Sequence, residues 1–239
     1  MMRLPRVLVF TPIYAAKDYC LDEFIENIQK ITYKHYKHIV IDNTDDDGVY
    51  FEELKTKFNP LGIDVYHTKR GNSSREALAR SQNLARKIFL EGNYDYLMSL
   101  ESDIFPKPNI IDALVSHNLD IVTALYMIGF EHDDTRTPCI TLDWKNKETG
   151  TCGSRLIEPE QFIDYINQGV KDVMAGGMGC CLMYRKVVEK VKFTYLPGHN
   201  AHSDVFWFND VKRLGYIVAV DTDILVEHKN SDWTKVADR

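Results

Sequence analysis

Two carboxylates one residue apart, Glu101 and Asp103, close the run Tyr94-Asp-Tyr-Leu-Met-Ser-Leu-Glu-Ser-Asp-Ile-Phe-Pro-Lys-Pro108. Tyr96, Leu97, Met98 and Leu100 read as a buried strand. Pro106 and Pro108 forbid a regular ladder beyond it. At the carboxyl end of a strand in an open parallel sheet, side chains emerge into the crevice where ligands bind. An acid-x-acid pair there suits a hard divalent cation whose other ligands are phosphate oxygens. A solvated turn after a strand is the other reading such a pair allows.

The elements that must position these acids alternate along the chain. Arg6–Thr11 is a short apolar strand ended by Pro12, and Asp18–Ile31 has helical spacing. His38–Asp42 is a second strand, followed by the loop Asn43-Thr-Asp-Asp-Asp-Gly48, a helix at Phe51–Phe58 and a strand at Ile63–His67. A helix from Ser74 to about Glu91 precedes the acid-tipped strand, and Arg75 and Arg80 lie off its apolar face. Beyond it come a helix at Asn109–His117 and a strand at Asp120–Tyr126. Strand–helix alternation of this kind builds a parallel sheet flanked by helices, an α/β fold.

The second half is less regular. Met127–Glu160 mixes charges and glycines with short strands at Thr137–Leu142 and Arg155–Ile157, and reads as a hairpin or lid over the crevice or as a surface insertion. Pro159–Asn167 reads as helical. A glycine turn, Gly176-Gly-Met-Gly179, runs into an apolar strand ending at Tyr184. A helix at Asp204–Leu214, two closing strands at Tyr216–Val220 and Ile224–Glu227, and a fraying tail Lys229–Arg239 complete the chain.

Bulk composition narrows the class. With 239 residues, 44% hydrophobic and 27% charged, the chain fits a soluble globular fold, and no window approaches the ~18 apolar residues of a membrane span. The first residues lack the apolar core of a signal peptide. Five cysteines without a Cys-x-x-Cys give neither a zinc pattern nor a disulfide framework, so reduced thiols and a cytoplasmic location are expected. A net charge of −6 disfavours nucleic acid as a bulk partner. There is no internal repeat or linker, so residues 1–239 read as one domain. A P-loop is absent, and the Gly176–Gly179 turn is not the dinucleotide fingerprint.

Taken in order, four signatures resemble the GT-A glycosyltransferases, especially the family 2-like enzymes and the related Anp1-type mannosyltransferases. They are Phe10-Thr-Pro-Ile-Tyr14; Val40-Ile-Asp-Asn43; Leu78-Ala-Arg-Ser-Gln-Asn-Leu-Ala85 ahead of Tyr96–Asp103; and Ser203–Tyr216 leading to Val226-Glu-His228. The resemblance covers most of Arg6–His228 and is poor over Met127–Glu160. It implies a nucleotide-sugar half at about 1–126 and an acceptor and catalytic half at about 127–239.

On that resemblance Asp103, with Glu101, matches the family's acid pair that binds Mn²⁺ or Mg²⁺. Glu101 is one methylene longer than the usual aspartate, and Ser102 between them joins the donor contacts. His228 matches a histidine that completes the metal site, and imidazole suits Mn²⁺ better than Mg²⁺. Thr11, Pro12 and Tyr14 would shape the nucleotide pocket, with Tyr14 stacking on the base. Asp42, assisted by Asn43, would accept from the base, or else start an Asx turn. Arg80 or Arg75 would contact the diphosphate, or else remain solvated helix charges. The glycines at Gly176–Gly179 would let backbone approach the sugar, or form a tight turn. Asp204 would be the base that takes the acceptor's proton in an inverting transfer, or a helix-start charge beside a Ser203 cap, with Asp210 as second choice.

The expected function is metal-dependent transfer from a nucleoside-diphosphate sugar, with UDP as the expected nucleotide and inversion as the expected outcome, to a glycan or other hydroxyl acceptor. A sugar-phosphate nucleotidyltransferase is the alternative enzyme, although Thr11–Lys17 lacks the glycine-rich loop it wants. A non-catalytic nucleotide- or glycan-binding module is the third reading.

Overall fold

The first strand shows why the sheet forms where it does. β1 (Val7–Ile13) is buried along its whole length, and its residues alternate between two apolar cores. Val7 and Val9 pack with Leu21, Phe24 and Ile28 of α1 (Leu21–Ile28), Leu54 and Phe58 of α2 (Val49–Phe58), and Leu114 of α4 (Ile110–Ser116). Leu8 and Phe10 face Ala85 and Phe89 of α3 (Ser74–Glu91), Val187 of α5 (Arg185–Lys190), and Trp207 and Val211 of α6 (Ser203–Arg213). A strand covered on both faces is apolar along most of its length, and here the one polar residue, Thr11, is buried with its hydroxyl on His38. The computed structural model describes residues 3–130, 133–145 and 152–229.

The main sheet adds β2 (Tyr36–Asp42), β3 (Asp64–His67), β4 (Tyr96–Leu100), β5 (Ile121–Leu125), β6 (Val170–Asp172), β7 (Cys180–Tyr184) and β8 (Val218–Leu225). Its order is β6-β8-β5-β7-β4-β1-β2-β3. Strands β1, β2, β3 and β4 are mutually parallel, as are β5 and β8. β7 runs antiparallel between β4 and β5, and β6 is an antiparallel edge. The expected mostly parallel α/β sheet is present. Because β7 is reversed, its first residues lie beside the last residues of β4, and the Glu101 amide donates to the Gly179 carbonyl (2.9 Å).

Several boundaries differ from the sequence expectation. β1 continues through Pro12, because its pairing with β4 stops at Phe10 and the last turn is a local edge where a missing N–H costs little. The two expected closing strands are one, β8, with a bulge between Asp221 and Leu225. Glu227–His228 instead pairs antiparallel with Ile104–Phe105, just past the acid pair. The Pro159 segment is a short 3₁₀ turn, Pro159–Asp164, and Asn167 beyond it takes a left-handed conformation. Within 127–160, Met127–Phe130 pairs with Asp133–Pro138, and Ile140–Lys145 pairs with Cys152–Leu156 and with Ala175–Gly176. The expected strand Thr137–Leu142 is thus split at Cys139. Residues 131–132 and 146–151 of that stretch, and 230–239 of the expected fraying tail, lie outside the described residues.

Candidate active site

Four strand ends converge on one edge of the sheet. β1 delivers Tyr14, β2 delivers Asp42 and Asn43, β4 delivers Glu101 to Asp103, and the segment after β8 delivers His228. The Ile104–Phe105 pairing is what brings His228 back onto Asp103, with Nε2 3.6 Å from Oδ2. That is too long for a direct hydrogen bond. His228 Nδ1 lies 2.9 Å from the Met127 carbonyl, which can only accept, so Nδ1 carries the proton. In the neutral ring Nε2 then presents a lone pair to the carboxylate. Two facing electron-rich groups call for a proton or a cation between them.

Asp103 is fully buried, and its Oδ1 has no hydrogen-bond partner among the described residues; neither has the buried Ser102 hydroxyl. Lys17, from the 3₁₀ turn Ala15–Cys20, sets its ammonium 2.8 Å from Asp103 Oδ2 and 3.6 Å from Glu101 Oε2. Burial alone would raise the Asp103 carboxyl, but Lys17 and His228 together hold it well below the usual carboxylate range. Glu101 goes the other way. Burial, and then the neighbouring Asp103 charge, raise it against the pull of Lys17. Burial disfavours the charge on Lys17, and the two acids more than restore it. The same logic raises His228, where Asp103 outweighs desolvation.

No group of three or more His, Cys, Asp or Glu side chains among the described residues is arranged to hold a metal ion. The donor chemistry nonetheless fits a divalent cation shared with a ligand. A buried carboxylate with an orphaned oxygen and an oriented imidazole would serve as two protein ligands, and ions of this kind commonly complete their shell from phosphates and water. Glu101, with its side chain 23% exposed, borders the same point.

The residues expected to form a nucleotide pocket lie at the neighbouring strand ends. Asn43 is buried, donates to Ser81 on α3 and accepts from Arg70 (3.0 Å). The Arg70 guanidinium lies over the Tyr14 ring, 3.6 Å from its centroid, so one face of Tyr14 is already stacked. Asp42 is fully buried; Oδ1 accepts from the Thr44 amide in an Asx turn, and Oδ2 pairs with His67 (2.8 Å). Thr11 turns its hydroxyl to His38 (2.9 Å) in the core, and Pro12 is buried within β1. Arg80 is exposed and bound to Glu76 and the Lys69 carbonyl, whereas Arg75 keeps a buried Nε with no hydrogen-bond partner among the described residues.

Asp204 sits in the first turn of α6, partly buried, with Oδ1 accepting from the Val205 amide (2.7 Å). Its charge adds to those that raise the Glu101 and Tyr126 groups, so it lies within electrostatic reach of the acid pair. Ser203 is not the cap: it lies inside the helix and donates to the buried Gln82 of α3 (2.5 Å), tying the helix start in place. Asp210 pairs with Arg213 on the helix flank. The glycine turn is approached by a protein side chain. A methyl at Gly176 would strike Thr123, and one at Gly177 would strike the Tyr126 ring. Tyr126 accepts from the Gly179 amide (3.0 Å) and packs edge-on against His228, with centroids 5.1 Å apart.

Sequence reasoning missed two residues of this edge, Lys17 and Arg70. A basic residue just past the first strand, and another just before the α3 cap, were the available signals. It also missed a cavity of about 700 Å³ beside His228, bordered by Met127, Arg136 and Glu23.

The eight-stranded sheet with its reversed β7, flanked by helices and carrying an acid pair at the end of β4, is the GT-A glycosyltransferase fold. The sequence matches no family model and no curated protein. Solved structures share the fold at low identity. One is GalNAc-T7 with UDP, GalNAc and Mn²⁺, at TM-score 0.62 and 12% identity over 94% of this chain and 44% of that one. Another is the mannosyltransferase PcManGT from Pyrobaculum calidifontis with GDP-Man and Mn²⁺, at TM-score 0.60 and 15% identity over 97% and 59%. A third is S. aureus TarS with UDP-GlcNAc, at TM-score 0.57 and 11% identity over 96% and 60%. The chain spans less than two thirds of each of these three. No described helix is long and apolar enough to cross a membrane.

Proposed function

We propose that the protein is a glycosyltransferase that moves a sugar from a nucleoside-diphosphate sugar to a hydroxyl acceptor. The observation that carries the reading is that the buried Asp103 carboxylate, whose Oδ1 has no partner among the described residues, faces the oriented Nε2 of His228 at the sheet's carboxyl edge. Asp103 and His228, with Glu101 beside them, would hold a divalent cation, Mn²⁺ before Mg²⁺, which supplies Lewis-acid neutralisation of the diphosphate. Tyr14, Arg70 and Asn43, with Asp42 behind them, form the nucleoside end, and Arg75 offers its unpartnered guanidinium Nε to a phosphate. UDP is the favoured nucleotide, in keeping with the UDP or UDP-sugar carried by two of the three neighbours.

Asp204 is the general base. It takes the acceptor hydroxyl's proton as that oxygen bonds to the anomeric carbon, while the carbon–oxygen bond to the diphosphate breaks and its electron pair leaves with the nucleoside diphosphate. Attack opposite the leaving group inverts the anomeric centre. Ser203 and Gln82 keep the carboxylate's helix in register with the crevice.

The test is a panel of UDP-, GDP-, CMP- and dTDP-sugars, with Mn²⁺ or with EDTA, followed by thermal shift and by release of free nucleotide. One donor class should stabilise the protein and be consumed only with the metal. Failure of every nucleotide sugar to bind in the presence of Mn²⁺ would refute the reading.

A further inference from the structure

The acid pair already has a cation beside it, and that cation belongs to the chain. Asp103 lies at 0% side-chain exposure, and Lys17, whose side chain is 23% exposed, sets its ammonium 2.8 Å from the buried carboxylate. It contacts the oxygen that also faces His228, and its second neighbour is Glu101. A divalent ion held by Asp103 and His228 would have to lie within a few ångströms of this ammonium. Two cations that close repel strongly in a site shielded from water. An ion bridging to His228 Nε2 would need the same oxygen, Oδ2, that the ammonium already holds.

We propose that Lys17 is a displaceable internal counter-ion, which holds Asp103 and Glu101 in the nucleotide-free protein and must swing away before a divalent cation binds. The proposal rests on reading Asp103 and His228 as the cation site. Lysine suits the task because its charge is a compact point on a flexible stem, with no fork to lock it onto a carboxylate. The donor's diphosphate would offer the displaced ammonium a new anionic partner. Binding of metal without nucleotide therefore works against the lysine, and binding of both together does not. The lysine makes metal uptake conditional on the donor.

The test reads Mn²⁺ binding directly, by the electron paramagnetic resonance signal of free Mn²⁺, in nucleotide-free protein. Charge-assisted contacts of this kind correspond to about a tenfold to a hundredfold change in affinity. Lys17→Met should bind Mn²⁺ tighter than wild type by that factor, and UDP should improve its Mn²⁺ affinity less than it improves wild type's. Lys17→Arg, which keeps a cation, should bind no tighter than wild type, and Asp103→Asn should not bind. Lys17→Met should also melt lower without metal and recover more on adding Mn²⁺, because Asp103 is left uncompensated until the ion arrives. Should Lys17→Met not fold, Lys17→Gln, which removes the charge and keeps a donor, carries the same expectation.

Equal or weaker Mn²⁺ affinity in the neutral variants, with binding still abolished in Asp103→Asn, overturns the role of Lys17 and leaves the cation site standing. Absence of Mn²⁺ binding in every variant, with and without UDP, overturns both.

Discussion

Replacing Gly177 by alanine puts a methyl where the ring of Tyr126 already lies. The added carbon would fall well under 3.0 Å from three atoms of the Tyr126 ring and hydroxyl. Tyr126 has little room to retreat. It is 6% exposed, its hydroxyl accepts the Gly179 amide, and its ring edge abuts His228. Overpacking of this kind costs about 1–3 kcal/mol, and loss of the buried hydrogen bond adds about 0.5–1.5 kcal/mol. Gly177→Ala should therefore destabilise by about 1.5–4.5 kcal/mol, read as a lowered urea midpoint with an unchanged slope. The same displacement pushes the ring at His228, so Mn²⁺ affinity should fall as well. Tyr126→Ala removes the obstacle at its own cost of about 3–5 kcal/mol. In that background Gly177→Ala should be almost neutral, giving a coupling of about 1.5 kcal/mol or more. Costs that simply add, to within about 0.5 kcal/mol, would show that the two residues do not meet and that Tyr126 does not brace His228.

Asp204→Asn keeps shape and removes basicity, so transfer should fall by about 10²–10⁴-fold while donor affinity by calorimetry stays near wild type; lost donor binding would make it a pocket residue instead. Arg70→Ala should weaken UDP binding more than Arg80→Ala, because Arg70 stacks on Tyr14 and holds Asn43 while Arg80 is paired with Glu76 on the surface; the reverse order would return the nucleotide to the α3 arginine. His38 is buried and desolvated, with the Lys37 charge adding, to a pKa of about 3. Its folded value lies below the unfolded ~6.5, so only the unfolded chain binds that proton as pH falls from 6.5 toward 3. Stability should therefore drop by about 2 kcal/mol between pH 6.5 and 5 through this group. His38→Gln should be less stable at neutral pH yet flatter over that window, and parallel profiles would show that His38 is charged in the fold.

Much of this site could be read along the chain because its signals are local. Burial on both faces makes the centres of β1, β2 and β4 largely apolar, and the turn chemistry after each places Tyr14, Asp42 and Glu101 to Asp103 at the carboxyl edge. The α3 cap at Ser73 and the buried stripe Ala77, Ala85 and Phe89 follow from helical period in the same way. Periodicity reports which way a side chain faces, since facing is a property of the backbone at that residue.

Which side chains then meet is decided by pairings between distant segments, and these leave no period. His228 reaches Asp103 only because two residues after β8 pair with Ile104–Phe105 instead of extending the main sheet. The reversal of β7 sets the glycine turn against Tyr126, so that close approach by a side chain, and not a ligand, accounts for Gly177. Lys17 comes from a 3₁₀ turn whose sequence names no partner, and it lands on the acid pair because β1 and β4 are neighbours in register. The residue types that could do the chemistry were written in the sequence. Their contacts, and with them the competition for Asp103, exist only once the sheet order is made, because an ion pair depends on distance in space and not on separation along the chain.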